Sequence, residues 1–187
     1  GSSYGGLGLP AQPSNEQFEN LVALQWARFD SQRPVWIEAE SKRVGICRIP
    51  EVLFQQMEQA PVLEIMRSRA ERLSLLVNVY GSAEIESLIE ATERIRKRLG
   101  GLRTQQAVDL LRQGQLSEAF NIILDYYDKT YTYDLNRRNV PIYSVDVSGF
   151  TASESAALLI ERSQQTLTTS ACLNSELVTT HSHSSEL

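Results

Sequence analysis

Three short apolar runs, each entered through a proline, set the limits on what this chain can fold into. Pro34 precedes Val35-Trp36-Ile37-Glu38, Pro61 precedes Val62-Leu63-Glu64-Ile65-Met66, and Pro141 precedes Ile142-Tyr143-Ser144-Val145-Asp146-Val147. Runs of this length, rich in β-branched and aromatic residues, suit strands buried on both faces of a parallel sheet. Between them the apolar residues return at helical spacing. Ser14 reads as an N-cap, with Gln17 completing a capping box, for a helix to about residue 29. Phe18, Leu21, Val22, Trp26 and Phe29 give it one apolar face that should lie on the sheet.

Pro50 stands at a first helical position ahead of Val52, Leu53 and Met57, and Pro61 stops that helix. A further helix runs from Ser68 to Gly81, and another after Ser82 carries Ile85, Leu88, Ile89, Ile95 and Leu99 up to Gly100-Gly101. Stretches 104–113 and 115–130 are helical, and a last helix spans about 151–164. Strands separated by helices predict an α/β fold with a short parallel sheet and many flanking helices. Three strands make a thin sheet, so the pattern reads as the trailing part of a larger doubly wound domain. An incomplete sheet with an open edge predicts self-association or poor solubility in isolation.

The 187 residues fit one domain, with 42% apolar and 22% charged side chains. Residues 1–13 read as a Gly/Pro-rich loop, 14–164 as the α/β domain, and 165–187 as a disordered tail dominated by Ser and Thr. No apolar run is long enough to cross a bilayer, and the start lacks the features of a secretory signal. Cys47 and Cys172 stand alone, without a CxxC pair, so neither a disulfide framework nor a structural zinc is expected. A cytoplasmic location, no membrane partner and no resident metal follow as expectations. The first residue is Gly1 rather than Met, which predicts a piece cut from a longer chain or a processed product.

With 18 Lys and Arg against 23 Asp and Glu, the net charge is −5, so any anion site must be a local patch. Arg94, Arg96, Lys97, Arg98 and Arg103 form such a patch, with no acid among them. At about 100° per residue, Arg94, Lys97 and Arg98 fall opposite Ile95 and Leu99 and project together. Guanidinium groups so placed can grip a polyphosphate or follow an RNA backbone. The helix dipole alone also favours bases before a glycine stop. Glu38, Glu40, Ser41 and Arg43 follow the first apolar run, at the strand end where open α/β sheets hold ligands. A loop carboxylate paired with Lys42 or Arg43 accounts for them equally well.

Tyr126, Tyr127, Tyr131 and Tyr133, followed by Arg137 and Arg138, combine aromatic faces with guanidinium groups. Tyr126, Tyr131, Arg137 and Arg138 are therefore candidates to stack on or contact RNA, although Tyr127 and Tyr131 at i, i+4 also suit a core stripe. His181 and His183 sit in the tail, and Cys47 reads as a small buried residue. No G-x-x-x-x-G-K-[ST] loop occurs in the chain.

Taken in order, GSSYGGLG, PSNEQFENLVALQW, PVWIEAESKRVG, IPEVLFQQM, ERIRKRLGGLR and LDYYDKTY resemble the C-terminal part of the tRNA 2-selenouridine synthases, from Gly1 to about residue 160. The resemblance implies an incomplete three-layer P-loop-NTPase-like domain, preceded in the family by a rhodanese domain and the P-loop itself. It implies an enzyme that geranylates wobble 2-thiouridine in tRNA with geranyl diphosphate and then exchanges the geranylthio group for selenium from selenophosphate. Mg²⁺ is a further candidate, and a separate N-terminal rhodanese and P-loop half a candidate partner. On the same resemblance Glu38, Glu40, Ser41 and Arg43 take a Walker-B-like position. Arg94, Arg96, Arg98 and Arg103 take a basic, lid-like one, and Ser2 and Ser3 match a serine pair of unassigned role. No catalytic cysteine carries over, because neither cysteine begins a Cys-x₅-Arg loop. Two other readings stand beside this one: a non-catalytic remnant or RNA-binding module, and a fragment of a P-loop small-molecule kinase.

Overall fold

The computed structural model describes residues 4–39 and 41–165. Ser2, Ser3, Glu40, Cys172, His181, His183 and the expected tail lie outside the described residues. The elements run α1 (Asn15–Trp26), β1 (Arg43–Val44), β2 (Cys47–Arg48), α2 (Glu51–Gln59), β3 (Val62–Met66), α3 (Arg69–Tyr80), α4 (Ile85–Arg94), α5 (Arg96–Leu99), α6 (Gly101–Arg112), α7 (Leu116–Arg137) and β4 (Ile142–Asp146). A final helix, α8, covers 152–165. No helix among the described residues is long and apolar enough to cross a membrane. The fold is mixed α/β, and it divides into two compact units: residues 1–62 with 69–141, and residues 63–68 with 142–187.

The first unit is mainly helical. Its core is built by Leu88, Ala91, Leu99, Ala107, Leu111, Ala119, Phe120 and Ile123. Ala91, Ala107 and Ala119 are fully buried, and their small side chains let α4, α6 and α7 approach closely. Tyr4, from the segment expected to be a permissive loop, is only 3% exposed and enters this core. Its ring centroid lies 5.8 Å from that of Tyr80 and 6.1 Å from that of Phe120. Thr92 Oγ1 donates to Leu88 O at 2.7 Å, so the Tyr4 hydroxyl donates to Thr92 Oγ1 at 2.6 Å.

The predicted helix from Ser82 to Leu99 is broken at Ile95, whose φ of −97° and ψ of 3° leave the helical region. Glu93 and Arg96 straddle the break in a double contact, Nε to Oε2 at 2.6 Å and Nη2 to Oε1 at 2.9 Å. Gly100, at φ +95°, ends α5 in a conformation that side-chain-bearing residues rarely adopt, and α6 starts at once from Gly101 rather than near residue 104.

The N-cap of α1 is as expected, with Ser14 Oγ accepting from Gln17 N at 3.2 Å. The apolar face expected to lie on a sheet does not: α1 buries no residue, and Leu21, Leu24 and Trp26 are exposed. The expected strand at Val35–Glu38 is likewise irregular and exposed. A strand exists only where a neighbour completes its ladder, and among the described residues no strand lies beside this segment. The β1–β2 hairpin follows it, closed by a two-residue turn with Gly45 at φ +63°, as the first residue of a II′ turn requires.

The second unit contains most of a two-stranded sheet of β3 and β4. Val62 N donates to Pro141 O at 3.0 Å and Val147 N to Met66 O at 2.9 Å, so the strands advance together in parallel. Two of the three proline-led runs are therefore strands. Ser144 Oγ donates to Glu64 Oε2 across the pair at 2.6 Å. Thr151 and Glu154 cap α8 reciprocally, Glu154 N to Thr151 Oγ1 at 3.3 Å and Thr151 N to Glu154 Oε2 at 2.8 Å.

A basic and aromatic surface on the helical unit

The break at Ile95 decides how the basic run is presented. Ile95 and Leu99 are buried, while Arg94, Arg96, Lys97 and Arg98 are exposed. Arg96 is committed to Glu93, which lowers the Glu93 carboxyl below its usual range. Arg98 turns toward α7, its Nη1 donating to the Tyr126 hydroxyl at 3.4 Å. That contact joins two clusters separated by 28 residues. From Tyr126 the rings continue along α7: Tyr126 to Tyr127 at 5.0 Å, edge to face, then Tyr127 to Tyr131 at 6.3 Å, stacked at 29°. Tyr126 and Tyr127 are half-buried against the core, whereas Tyr131 is 60% exposed and Tyr133 70%.

Arg103 does not join the exposed run. It pairs with Asp125 of α7, which also takes Arg69 Nη2 from α3 at 2.6 Å. Arg72 grips Asp128 in a fork, Nη1 to Oδ1 at 2.5 Å and Nη2 to Oδ2 at 3.1 Å, and Arg69 Nη2 also reaches Asn121 O at 2.7 Å. Arg69, followed by Arg103, holds the Asp125 carboxyl below its usual range. Three arginines thus cancel two carboxylates that would otherwise repel a polyanion from α7. A further α7 carboxylate, Asp134, faces Arg137 at 3.2 Å and Arg138 at 3.6 Å, so the predicted pair of bases after the tyrosines is largely spent on it. The α3–α7 network was not singled out from the sequence, although Arg69/Arg72 and Asp125/Asp128 carry a legible signal. These are complementary charges at i, i+3 on two helices.

The other predicted group is dispersed. Glu38 lies in the exposed irregular segment rather than at a strand end, and Glu40 is outside the described residues. Ser41 Oγ donates to Arg43 O at 2.8 Å, and Arg43 sits on β1. Ser41, Lys42, Arg43 and Arg48 line a shallow recess of about 390 Å³. Lys42 is paired with Glu51. Cys47 is buried, as expected, with its Sγ 3.5 Å from Pro13 O.

Comparison with known proteins agrees with the sequence resemblance. Residues 1–154 match the family described as the tRNA 2-selenouridine synthase AAA domain. The tRNA 2-selenouridine synthase of Marinobacter nauticus is 31% identical over 169 residues, covering 74% of this chain and 46% of the relative. Those of Alcanivorax borkumensis and Hahella chejuensis are 29% and 30% identical over similar stretches. The chain spans less than half the length of each of these relatives. No solved structure matches it.

Proposed function

This chain belongs to the tRNA 2-selenouridine synthase family, and from that premise we propose that it forms the C-terminal portion of an enzyme converting wobble 2-thiouridine in tRNA to 2-selenouridine. In this reading the α/β chain is part of a P-loop-like domain. The whole reaction needs the remaining part of the enzyme, either in the same polypeptide or as a separate rhodanese and P-loop half. The thiouridine sulfur attacks the first carbon of geranyl diphosphate, the carbon–oxygen bond breaks, and diphosphate leaves. The selenium of selenophosphate then attacks C2 of the pyrimidine, the carbon–sulfur bond breaks with geranylthiol as the leaving group, and water cleaves the selenium–phosphorus bond to release phosphate. Developing charge on the leaving diphosphate is what arginines stabilise best.

The role assigned to this chain is to hold phosphate and RNA. The observation that carries it is the Arg98–Tyr126 hydrogen bond, which makes one surface of the exposed basic run and the tyrosine column. Arg94, Lys97 and Arg98 take phosphates, Tyr131 stacks on a base, and the carboxylates beneath are already neutralised. Among the described residues no group of three His, Cys, Asp or Glu side chains comes together to hold a metal.

The test is a titration of the full chain with tRNA at low and moderate salt, with and without geranyl diphosphate. Binding should be salt-sensitive, and Arg94→Ala with Arg98→Ala should weaken it. An unchanged affinity in that double variant sinks the assignment.

A further inference from the structure

The β1–β2 hairpin pairs Arg43 directly with Arg48. Directly opposed residues of an antiparallel ladder point to the same side. Ile49 N donates to Lys42 O at 2.9 Å, so Lys42 and Ile49 form a hydrogen-bonded pair and the next pair inward, Arg43 with Arg48, is a non-hydrogen-bonded one. There the Cα atoms approach to about 4.5 Å, the closest placement two cross-strand side chains can have. Like charges at such a position repel and destabilise the hairpin. Among the described residues neither guanidinium has a carboxylate partner. The nearby Lys42 has taken Glu51 for itself.

The hairpin keeps this register because other groups impose it. The Gln12 side chain braces the turn from both ends, Nε2 donating to Val44 O and Oε1 accepting from Ile46 N, each at 2.9 Å. Asn15 Oδ1 accepts from Arg48 N at 2.6 Å, and Cys47 is buried between them in sequence. Two arginines with no carboxylate partner among the described residues thus stand directly opposed on a braced backbone, and both line the recess that Ser41 and Lys42 complete.

We propose that Arg43 and Arg48 form a phosphate-binding site on the β1–β2 hairpin, taking one phosphate or diphosphate group between their two forks. Planar guanidinium groups bind phosphate oxygens in bidentate fashion, and an anion between them would offset the repulsion between the two arginines. This site lies on residues distinct from the Arg94–Arg98 surface and stands independently of the function proposed above. The same chemistry serves a free diphosphate ester or a backbone phosphate of RNA.

The experiment compares the wild-type chain with Arg43→Gln, Arg48→Gln and the double variant by calorimetric titration with pyrophosphate, geranyl diphosphate and tRNA, and by thermal unfolding. Each lost arginine should weaken the anion by roughly tenfold or more. Without anion, Arg48→Gln should unfold at the same or a higher temperature than wild type, since it relieves repulsion. Pyrophosphate should raise the wild-type midpoint and leave that of the double variant unmoved. Saturable pyrophosphate binding identifies a diphosphate ester as the source. Binding of tRNA alone, lost in the double variant, identifies the RNA backbone. Unaltered affinity for all three probes in the double variant overturns the proposal. So does a lower unfolding temperature with no anion response in wild type, which marks the arginines as structural. Loss of tRNA binding in Arg94 and Arg98 variants with pyrophosphate binding intact leaves this site standing and bears only on the other surface.

Discussion

Single residues in the helical unit do the work of joining elements, and Asp125 is the clearest case. It receives Arg69 from α3 and Arg103 from α6, and both favour its ionised form, with Arg69 the stronger. A carboxyl lowered in the fold contributes stability above its ordinary value, near 4, and that contribution is lost as pH falls through the depressed one. Stability measured by urea unfolding should therefore decline on acidification, and Asp125→Asn should flatten that decline. The side chain is 39% exposed, so solvent screening keeps the effect modest. Thr92 offers a second test. Replacing it with Val keeps the shape and removes the buried hydrogen bond between the Tyr4 hydroxyl and Thr92 Oγ1, so Thr92→Val should cost about 0.5–1.5 kcal/mol in chemical denaturation. Tyr4 was not legible as important in the sequence, because it sits among glycines that suggest permissive backbone, and the matched i, i+3 spacing of Arg69/Arg72 and Asp125/Asp128 hints at two complementary helix faces without saying which arginine meets which carboxylate.

Whole elements were more legible, since periodicity is a local signal. The helices and two of the three proline-led strands follow the pattern of their apolar residues. Where the reading failed, the missing ingredient was a tertiary partner. Val35–Glu38 has strand composition but no neighbouring ladder among the described residues, and the β1–β2 hairpin is too short to show alternation, leaving Gly45 as its one cue. The break at Ile95 is invisible in an amphipathic pattern that runs straight through it, yet it governs how the basic run is displayed. Gly100 closes that display. A Cβ added there meets nothing within 4 Å, so the cost of Gly100→Ala is conformational only. That substitution should destabilise the chain by about 1–3 kcal/mol, read as a lower denaturant midpoint with unchanged slope.

For the molecule as a whole, the net charge of −5 gives no attraction to RNA, so the tRNA binding proposed above has to run through a patch, and the salt dependence tests the patch rather than the net charge. The logarithm of tRNA affinity should fall linearly with that of salt concentration, and Lys97→Ala should reduce the slope by about one unit. Tyr131→Ala should weaken binding while leaving the slope unchanged, because stacking releases no counterions. A slope insensitive to Lys97 places the contact elsewhere. The candidate surface was half legible: the basic run and the tyrosines stood out by composition, but only the fold brings Arg98 to Tyr126 and spends Arg103 and Arg137 on carboxylates. The buried Tyr4 also gives the molecule an optical clock. Desolvation pushes its phenol far above the ordinary range near 10, while exposed rings such as Tyr131 and Tyr133 have no such burial. In an alkaline absorbance titration the increment from Tyr4 should come late. The phenolate of Tyr4 should appear only when its surroundings open, so the lag before that last increment of ultraviolet absorbance times the opening of the helical core without any added label.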